Sequence, residues 1–71
     1  MRKIQIHTPY ITLGQLLKKM ELVNSGGEAK YFLQQKCVKV NQAVETRRGR
    51  KIYPSDQIEI KGYGNVQVYT N

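Results

Sequence analysis

The residues of this sequence whose types and spacing could do chemistry are basic. Four positive charges fall within five residues around one glycine: Arg47, Arg48, Gly49, Arg50 and Lys51. Guanidinium groups can hold phosphate oxygens through paired hydrogen bonds, and glycine lets a backbone turn tightly or approach a ligand closely. A solvated surface loop has the same composition. The net charge of +7 over 71 residues favours phosphate binding, because it predicts an anionic partner.

Residue patterns for catalysis or metal binding are missing from the sequence. The single histidine, His7, and the single cysteine, Cys37, are far apart and no orienting motif accompanies them. A metal site needs three or four ligands at suitable spacing. Asp56 and Glu59 could pair as general acid and base. Structural roles explain them better, with Asp56 forming a turn and Glu59 facing solvent on a strand. We therefore expect no enzyme activity, no catalytic residue, no metal and no cofactor.

Length and composition favour a single small domain covering residues 1–71. One cysteine excludes an internal disulfide, and no apolar run approaches the ~20 residues that span a membrane. The N-terminal residues alternate between polar and apolar types, unlike a signal peptide. We expect a cytoplasmic protein without membrane contact and, since nothing demands a dimer, a monomer.

Two helices are predicted from capping residues that precede apolar positions at helical spacing. Thr12 and Gln15 form a capping-box pattern, and so do Ser25 and Glu28. The first helix is predicted to bury Leu13, Leu16, Leu17 and Met20, and the second Ala29, Phe32 and Leu33. Lys18 and Lys19 project from the first helix, where a solvated face is the simplest role for them.

Strands are predicted where the apolar period changes to two. Val38 and Val40 should face the core and Lys39 the solvent, with Asn41-Gln42 turning into a return strand at Ala43–Val44. Further alternating pairs are Ile4 and Ile6, Ile58 and Ile60, and Val66 and Val68, and a turn is predicted at 62–65. The fold class is α+β: two or three short helices packed on a small, mainly antiparallel sheet.

The stretch from Ser25 to Asn41 resembles the RNA-binding domain named after small-subunit ribosomal protein S4, also called the alpha-L motif. That family has roughly Ser-Arg-Ser-Glu-Ala-Arg, an apolar helical pair, a Gly and then Val-x-Val-Asn-Gly. The residues that fit without a gap are Ser25, Glu28, Ala29, Lys30, Phe32, Leu33, Val38, Val40 and Asn41. Residues 54–60 are similar to the family's later Pro-Gly-Asp-x-Ile-x-Val, so the resemblance spans about residues 11–62. Residues 45–52 look like the small stand-alone bacterial members of the YaaA and YbcJ type.

The resemblance implies a non-catalytic protein that binds structured RNA, with ribosomal RNA favoured over tRNA. It also implies a role in ribosome assembly or translation, with the ribosome as a candidate partner. Lys30 takes the place of the family's RNA-contacting Arg. Asn41 takes the place of the family's Asn. A role in forming the turn explains this residue as well as an RNA contact does. We expect RNA contacts from Ser25, Lys30, Lys36, Lys39, Asn41, Arg47, Arg48, Arg50 and Lys51, and weaker ones from Lys18, Lys19, Gly26 and Gly27.

Three positions depart from the family pattern. Gly26 replaces an Arg, and the pair Gly26-Gly27 would let a phosphate approach the N-terminus of the second helix. Lys36 replaces a helix-ending Gly, which costs on the order of 1 kcal/mol if the backbone there has positive φ. Gln42 replaces the turn Gly, so the hairpin tip is expected to differ.

Two other classes of function stay open. A basic face could instead meet an acidic protein partner, or the protein could be a DNA-binding accessory factor. The five tyrosines are dispersed, mostly at expected core edges and hairpins, which favours recognition of RNA shape over sequence-specific reading of single strands. Base stacking on Tyr31 or Tyr53 is a minor alternative.

Overall fold

The computed structural model describes residues 1–70. Within this range the chain forms two helices and seven short strands. In chain order the elements are β1 (Arg2–Gln5), β2 (Ile11–Thr12), α1 (Leu13–Lys19), α2 (Gly26–Gln34), β3 (Val38–Val40), β4 (Ala43–Val44), β5 (Lys51–Ile52), β6 (Ile58–Ile60) and β7 (Gly64–Tyr69). The α+β prediction is confirmed, with two helices in this part of the chain. Neither helix is long and apolar enough to cross a bilayer.

Five of the strands form one sheet in the order β1-β7-β6-β3-β4. The β1–β7 pairing is parallel and the other three pairings are antiparallel, so the sheet is mainly antiparallel as predicted. Strands β1 and β7 lie outside residues 11–62, the range of the family resemblance. The structural unit is therefore larger than the recognisable motif, because its first and last strands pair with each other.

The core lies between one face of this sheet and the two helices. Val38 and Val40 are buried while Lys39 is exposed, as their alternation predicts. The helices contribute the apolar residues that their spacing predicts, with Phe32 only partly buried. The full set of buried apolar side chains is Ile6, Leu13, Leu16, Leu17, Met20, Val23, Ala29, Leu33, Val38, Val40, Ile52, Ile58, Ile60, Val66 and Val68. Each of the larger ones contributes about 1.5–3 kcal/mol by leaving water.

Both helices begin at their predicted caps, but the two caps differ. Thr12 and Gln15 form a reciprocal capping box at α1. At α2, the hydroxyl of Ser25 accepts a hydrogen bond from the Glu28 N–H at 3.2 Å. The Glu28 carboxylate accepts from the Asn24 N–H at 2.8 Å instead of from Ser25. The predicted second box is therefore only half formed, because the Glu28 carboxylate binds the N–H of the residue before the cap and not that of the cap itself.

Positive φ angles occur at the turns where the sequence departs from the family pattern. Lys36 has φ of 58°, so the expected cost of placing a side chain there applies. Asn41 and Gln42 have φ of 51° and 73° and form the two-residue loop between β3 and β4. The last predicted turn is shifted, because residues 61–63 form it and β7 already begins at Gly64.

A two-stranded antiparallel ribbon of β2 and β5 was not predicted. Ile11 pairs with Ile52 and Thr12 with Lys51. Ile52 is buried against the core, whereas the next residue, Tyr53, is exposed. The reason is the strand alternation, which turns neighbouring side chains to opposite faces. The ribbon also joins residues 47–51, which we call the basic segment, to the start of α1.

Candidate nucleic-acid interface

The basic segment is folded around the carboxylate of Glu45. Arg47 donates to it through Nε and Nη2, both at 3.1 Å, and Arg50 donates through Nη1 at 2.9 Å. The backbone N–H groups of Thr46 and Arg47 donate to the same carboxylate. The Glu45 side chain is only 8% exposed. A buried charge is tolerated only when it is paired and hydrogen-bonded, and this one has five donors.

We call Glu45 and the two arginines that bind it, Arg47 and Arg50, the clamp. Its electrostatics favour the ionised form of the Glu45 carboxylate. The hydrogen bond from the Arg47 side chain, supported by the Arg47 N–H and by Arg50, lowers the pKa of Glu45 from 4.5 to about 2 despite its burial. The same contact raises the pKa of Arg47. The clamp therefore remains charged on both sides across the whole range in which the protein would meet an anion.

The clamp gives two arginines a structural contact. Arg47 and Arg50 were expected to contact RNA, and both bind Glu45. Arg50 is half-buried, and its RNA contact stays a prediction. Arg47 is 73% exposed and uses two of its five donors on Glu45, so its outer edge can still reach a phosphate.

The clamped loop also covers the beginning of α1. The Leu13 N–H donates to the carbonyl of Arg50 and the Gly14 N–H to the carbonyl of Arg48, both at 2.8 Å. These N–H groups belong to the first turn of α1, which has no partners for them within the helix. The loop therefore replaces solvent at this helix end, and its position relative to both helices is fixed.

Arg48 is not part of the clamp and lies against two glycines. A Cβ on Gly14 would lie 3.3 Å from the Cβ of Arg48, and a Cβ on Gly26 would lie 2.9 Å from its Nη1. Glycine at these positions lets the arginine lie across the starts of α1 and α2. Gly26 is therefore covered by a guanidinium, so the predicted approach of a phosphate to the helix end stays a prediction for Gly27 alone.

An open groove of about 260 Å³ lies beside Arg48, and most of its lining is polar or glycine. The residues lining it are Thr12, Gly14, Gln15, Lys18, Gly26, Arg48 and Gly49. Pockets that enclose a small molecule usually measure about 300–1,000 Å³. This groove is smaller and open, which suits a phosphate group on a larger polymer better than an enclosed ligand. Within residues 1–70, no hydrogen bond or ion pair occupies the Arg48 guanidinium.

Two predicted lysines extend this region. Lys18 follows Gly14 by four residues in α1, and Lys30 follows Gly26 by four residues in α2. Residues four apart lie on the same side of a helix, so each lysine stands one turn beyond a glycine that Arg48 covers. Both lysines are exposed. We call Arg48, Lys18 and Lys30 the helix-side cluster. Of the two lysines in this cluster, only Lys18 lines the groove. Lys19 and Lys30 are exposed outside it.

Lys36 and Lys39 lie elsewhere. Lys39 projects from the face of the sheet that points away from the helices, opposite Glu59 on β6. Together with Lys36 and Lys61 these residues surround a separate, small depression. Lys36 and Lys39 therefore line a different depression from Arg48 and Lys18.

The polar residues Ser25 and Asn41 already have structural roles. The Ser25 oxygen caps α2. The Asn41 amide donates to Asp56 at 2.9 Å and accepts from the Gln57 N–H at 2.9 Å, joining the hairpin tip to the turn before β6. These two bonds support turn formation, which was the alternative to RNA contact for Asn41, and its RNA contact stays a prediction. Lys51 lies on the β2–β5 ribbon, with its ammonium 5.0 Å from the centre of the Tyr10 ring.

Sequence reasoning missed three features of this region: the Glu45 carboxylate, the close approach at Gly14 and the groove wall at Thr12 and Gln15. A glutamate two residues before an arginine-rich run was a usable signal for the clamp. Gly14 gave none, since a glycine near a helix start has many explanations. Among residues 1–70, no three His, Cys, Asp or Glu side chains come together in a way that could hold a metal.

Comparison with known proteins identifies the family. The sequence pattern described as the S4 domain matches residues 4–69 of the chain. The chain belongs to the S4 domain family. The matched range includes all of β7 and the end of β1, which the motif at residues 11–62 leaves out. The chain is also similar to the "Probable ribosome maturation protein RlbA" of Bacillus subtilis (strain 168), with 51% identity over 65 residues that cover 92% of each chain.

Proposed function

We propose that this S4 domain protein binds structured RNA, with ribosomal RNA as its target, and acts in ribosome maturation without catalysing a reaction. The observation that carries the proposal is the arrangement of Arg48 over the starts of α1 and α2, beside an open groove. Further support comes from the family and from the similarity to a probable ribosome maturation protein of Bacillus subtilis. The chain would act as one domain and as a monomer, in the cytoplasm.

The binding mode follows from the chemistry of the helix-side cluster. Arg48 presents a planar set of donors to one phosphate, and Lys18 and Lys30 add point charges one helical turn away on either helix. Charges spread in this way match phosphates that are held in a fixed arrangement, as in folded RNA. Contacts to phosphate position the protein, and RNA is distinguished from DNA by its A-form shape and 2′-hydroxyl groups. Glu45 acts indirectly, because its clamp aims Arg48 at the helices.

The experiment is a binding titration against three labelled polymers: a folded ribosomal RNA fragment, an unstructured RNA and a DNA duplex. Each is measured at several salt concentrations, since non-specific binding is electrostatic and weakens steeply with salt. We expect folded RNA to bind most tightly at every salt concentration. Equal binding of all three polymers that vanishes at moderate salt would contradict the proposal.

The two rival functions predict different outcomes of the same titration. Tighter binding of the DNA duplex than of folded RNA would indicate a DNA-binding accessory factor. A protein partner that remains bound after nuclease treatment, together with no preference among the polymers, would indicate an adaptor for an acidic protein.

A further inference from the structure

Two tyrosines lie side by side at one end of the β2–β5 ribbon, Tyr10 directly before β2 and Tyr53 directly after β5. The ring centres of Tyr10 and Tyr53 are 5.6 Å apart with an angle of 48° between their planes. Tyr10 is 37% exposed and Tyr53 is 43% exposed. The pair therefore keeps much of its aromatic surface in solvent although the domain has only a small core to stabilise it.

The backbone beneath Tyr53 is fixed. The Tyr53 N–H donates to the Asp56 carboxylate at 2.8 Å, and the Asp56 N–H donates to the Tyr53 carbonyl at 2.9 Å. Asp56 in turn accepts from the Asn41 amide. A ring whose backbone is held in this way loses little conformational freedom when it binds a ligand, and preorganisation of this kind favours binding.

A positive charge accompanies the aromatic pair. The Lys51 ammonium lies 5.0 Å from the centre of the Tyr10 ring, within the range of a cation–π contact. This contact uses a face of Tyr10 and leaves Tyr53 as the more exposed ring. An aromatic surface beside a lysine is the combination that binds a nucleotide, since the ring stacks on the base and the ammonium meets the phosphate.

The aromatic pair adjoins the groove of the helix-side cluster. Thr12 pairs with Lys51 across the ribbon and lines the groove that Arg48 borders. Tyr10 and Thr12 are two residues apart in extended chain, so their Cα atoms are about 7 Å from each other. A single nucleic acid strand leaving the groove would therefore pass over the tyrosines.

We propose that Tyr53, supported by Tyr10, stacks on an unpaired base of the RNA whose phosphates lie in the Arg48 groove. This inference rests on the proposed function and narrows its ligand to folded RNA with an unpaired nucleotide next to a helix. Lys51 contacts the phosphate of that nucleotide. Recognition is by stacking, so it tolerates any base.

The test uses two RNA hairpins that are identical except at one bulged nucleotide, which carries adenine in one hairpin and no base in the other. We expect the wild-type protein to bind the hairpin with the base about ten- to a hundredfold more tightly. Tyr53→Phe keeps the ring and should keep this preference. Tyr53→Leu removes the ring and should bind both hairpins with the affinity that the wild type has for the hairpin without the base.

Tyr31→Leu is the matched control, because Tyr31 is 69% exposed on α2 and lies outside the ribbon. It should keep the full preference. The preference is a ratio within one variant, so partial unfolding lowers both affinities together and does not imitate the result. With 2-aminopurine as the bulged base, binding of the wild type and of Tyr53→Phe should quench its fluorescence, and binding of Tyr53→Leu should not.

The outcomes separate this inference from the proposed function. Equal affinity of the wild type for the two hairpins, combined with a preference for folded RNA over DNA, would overturn the stacking inference alone. No preference for folded RNA over DNA would overturn both. Loss of the preference in Tyr31→Leu but not in Tyr53→Leu would place the stacked base on α2 and would also overturn the inference.

Discussion

Glu45 organises the arginines around it into two roles. Arg47 and Arg50 close on its carboxylate, and the segment between them carries Arg48 to the other side of the loop. Without the carboxylate, like charges in this short run would repel each other. The acidic residue in the most basic segment of the chain is therefore a structural requirement for the position of Arg48.

Replacing Glu45 with Gln should lower the free energy of unfolding by about 1–3 kcal/mol at pH 7, because charged hydrogen bonds to a buried group are lost. The effect should depend on pH. The pKa of Glu45 is about 2 in the folded protein and 4.5 is its ordinary value. Its contribution is thus complete above pH 4.5 and is lost as the pH falls towards 2.

Urea unfolding of the wild type and of Glu45→Gln at pH 7, 4.5, 3 and 2 measures this directly. The difference in stability between the two proteins should shrink across the acidic window and nearly vanish at its lower end. A difference that is constant from pH 7 to pH 2 would show that the carboxylate charge does not hold the loop.

Gly26 offers a way to move Arg48 without changing any charge. In Gly26→Ala the new Cβ would lie 2.9 Å from the Arg48 Nη1, so the flexible end of that side chain must shift. We expect folded RNA to bind several-fold more weakly. Stability should be unchanged or slightly higher, since alanine favours the helix by up to about 1 kcal/mol.

Gly49→Ala is the matched control for Gly26→Ala. Gly49 lines the same groove, but a Cβ there meets no atom within 4 Å and its φ is not in the left-handed region. Its RNA affinity should stay at the wild-type value. If the two variants bind RNA equally well, the position of Arg48 over Gly26 is not important for binding.

Among the secondary-structure elements, the β3–β4 hairpin has a strained backbone, and only part of this strain could be predicted from the sequence. Asn41 tolerates positive φ and has its amide bound to Asp56 and Gln57, whereas Gln42 has φ of 73° and none of those contacts. A left-handed conformation costs a residue with a side chain about 1–2 kcal/mol. The turn is therefore held by the pairing of β3 with β4 and by Asn41.

Gln42→Gly should raise the free energy of unfolding by roughly 0.5–1 kcal/mol, since relief of the strain exceeds the entropic cost of glycine. The same change at Gln34, which is exposed in α2, should lower it by about 1 kcal/mol. Urea midpoints for both variants check this. A loss of stability in Gln42→Gly would mean that the Gln side chain makes a contact that offsets its strain.

Elements whose signals are local were predictable from the sequence. The caps of both helices, the β3–β4 hairpin and the alternating strands depend on neighbouring residues, and the structure confirms them. The β2–β5 ribbon was not predictable, because two-residue strands have no measurable alternation and their pairing joins residues about forty positions apart.

The candidate site could be predicted only as a set of residue types. The types of the candidate residues can be read from the sequence, but the directions of their side chains depend on contacts that no local pattern shows. Arg48 faces the helices because Gly14 and Gly26 leave room, and Arg50 turns to Glu45. Lys39 faces away because β3 alternates, and that part was available from the sequence.

For the whole molecule, the division of positive charge between two sides of the sheet is the main consequence for binding. Arg48, Lys18 and Lys30 lie with the helices, and Lys36 and Lys39 lie on the far side with Lys61. One rigid RNA surface cannot contact both sides of so small a domain in the same way. We therefore expect the high net charge to attract RNA from a distance, and the helix-side cluster to hold it.

The most direct test of this account compares Arg48→Ala with Lys39→Ala, each of which removes one exposed charge from a different side. The affinity for folded ribosomal RNA is measured for both variants across a range of salt concentrations. Arg48→Ala should weaken binding about ten- to a hundredfold and reduce the slope of affinity against salt by about one. Lys39→Ala should change the affinity by less than about threefold and leave the slope nearly unchanged. Equal losses in the two variants, or a larger loss in Lys39→Ala, would contradict the helix-side site.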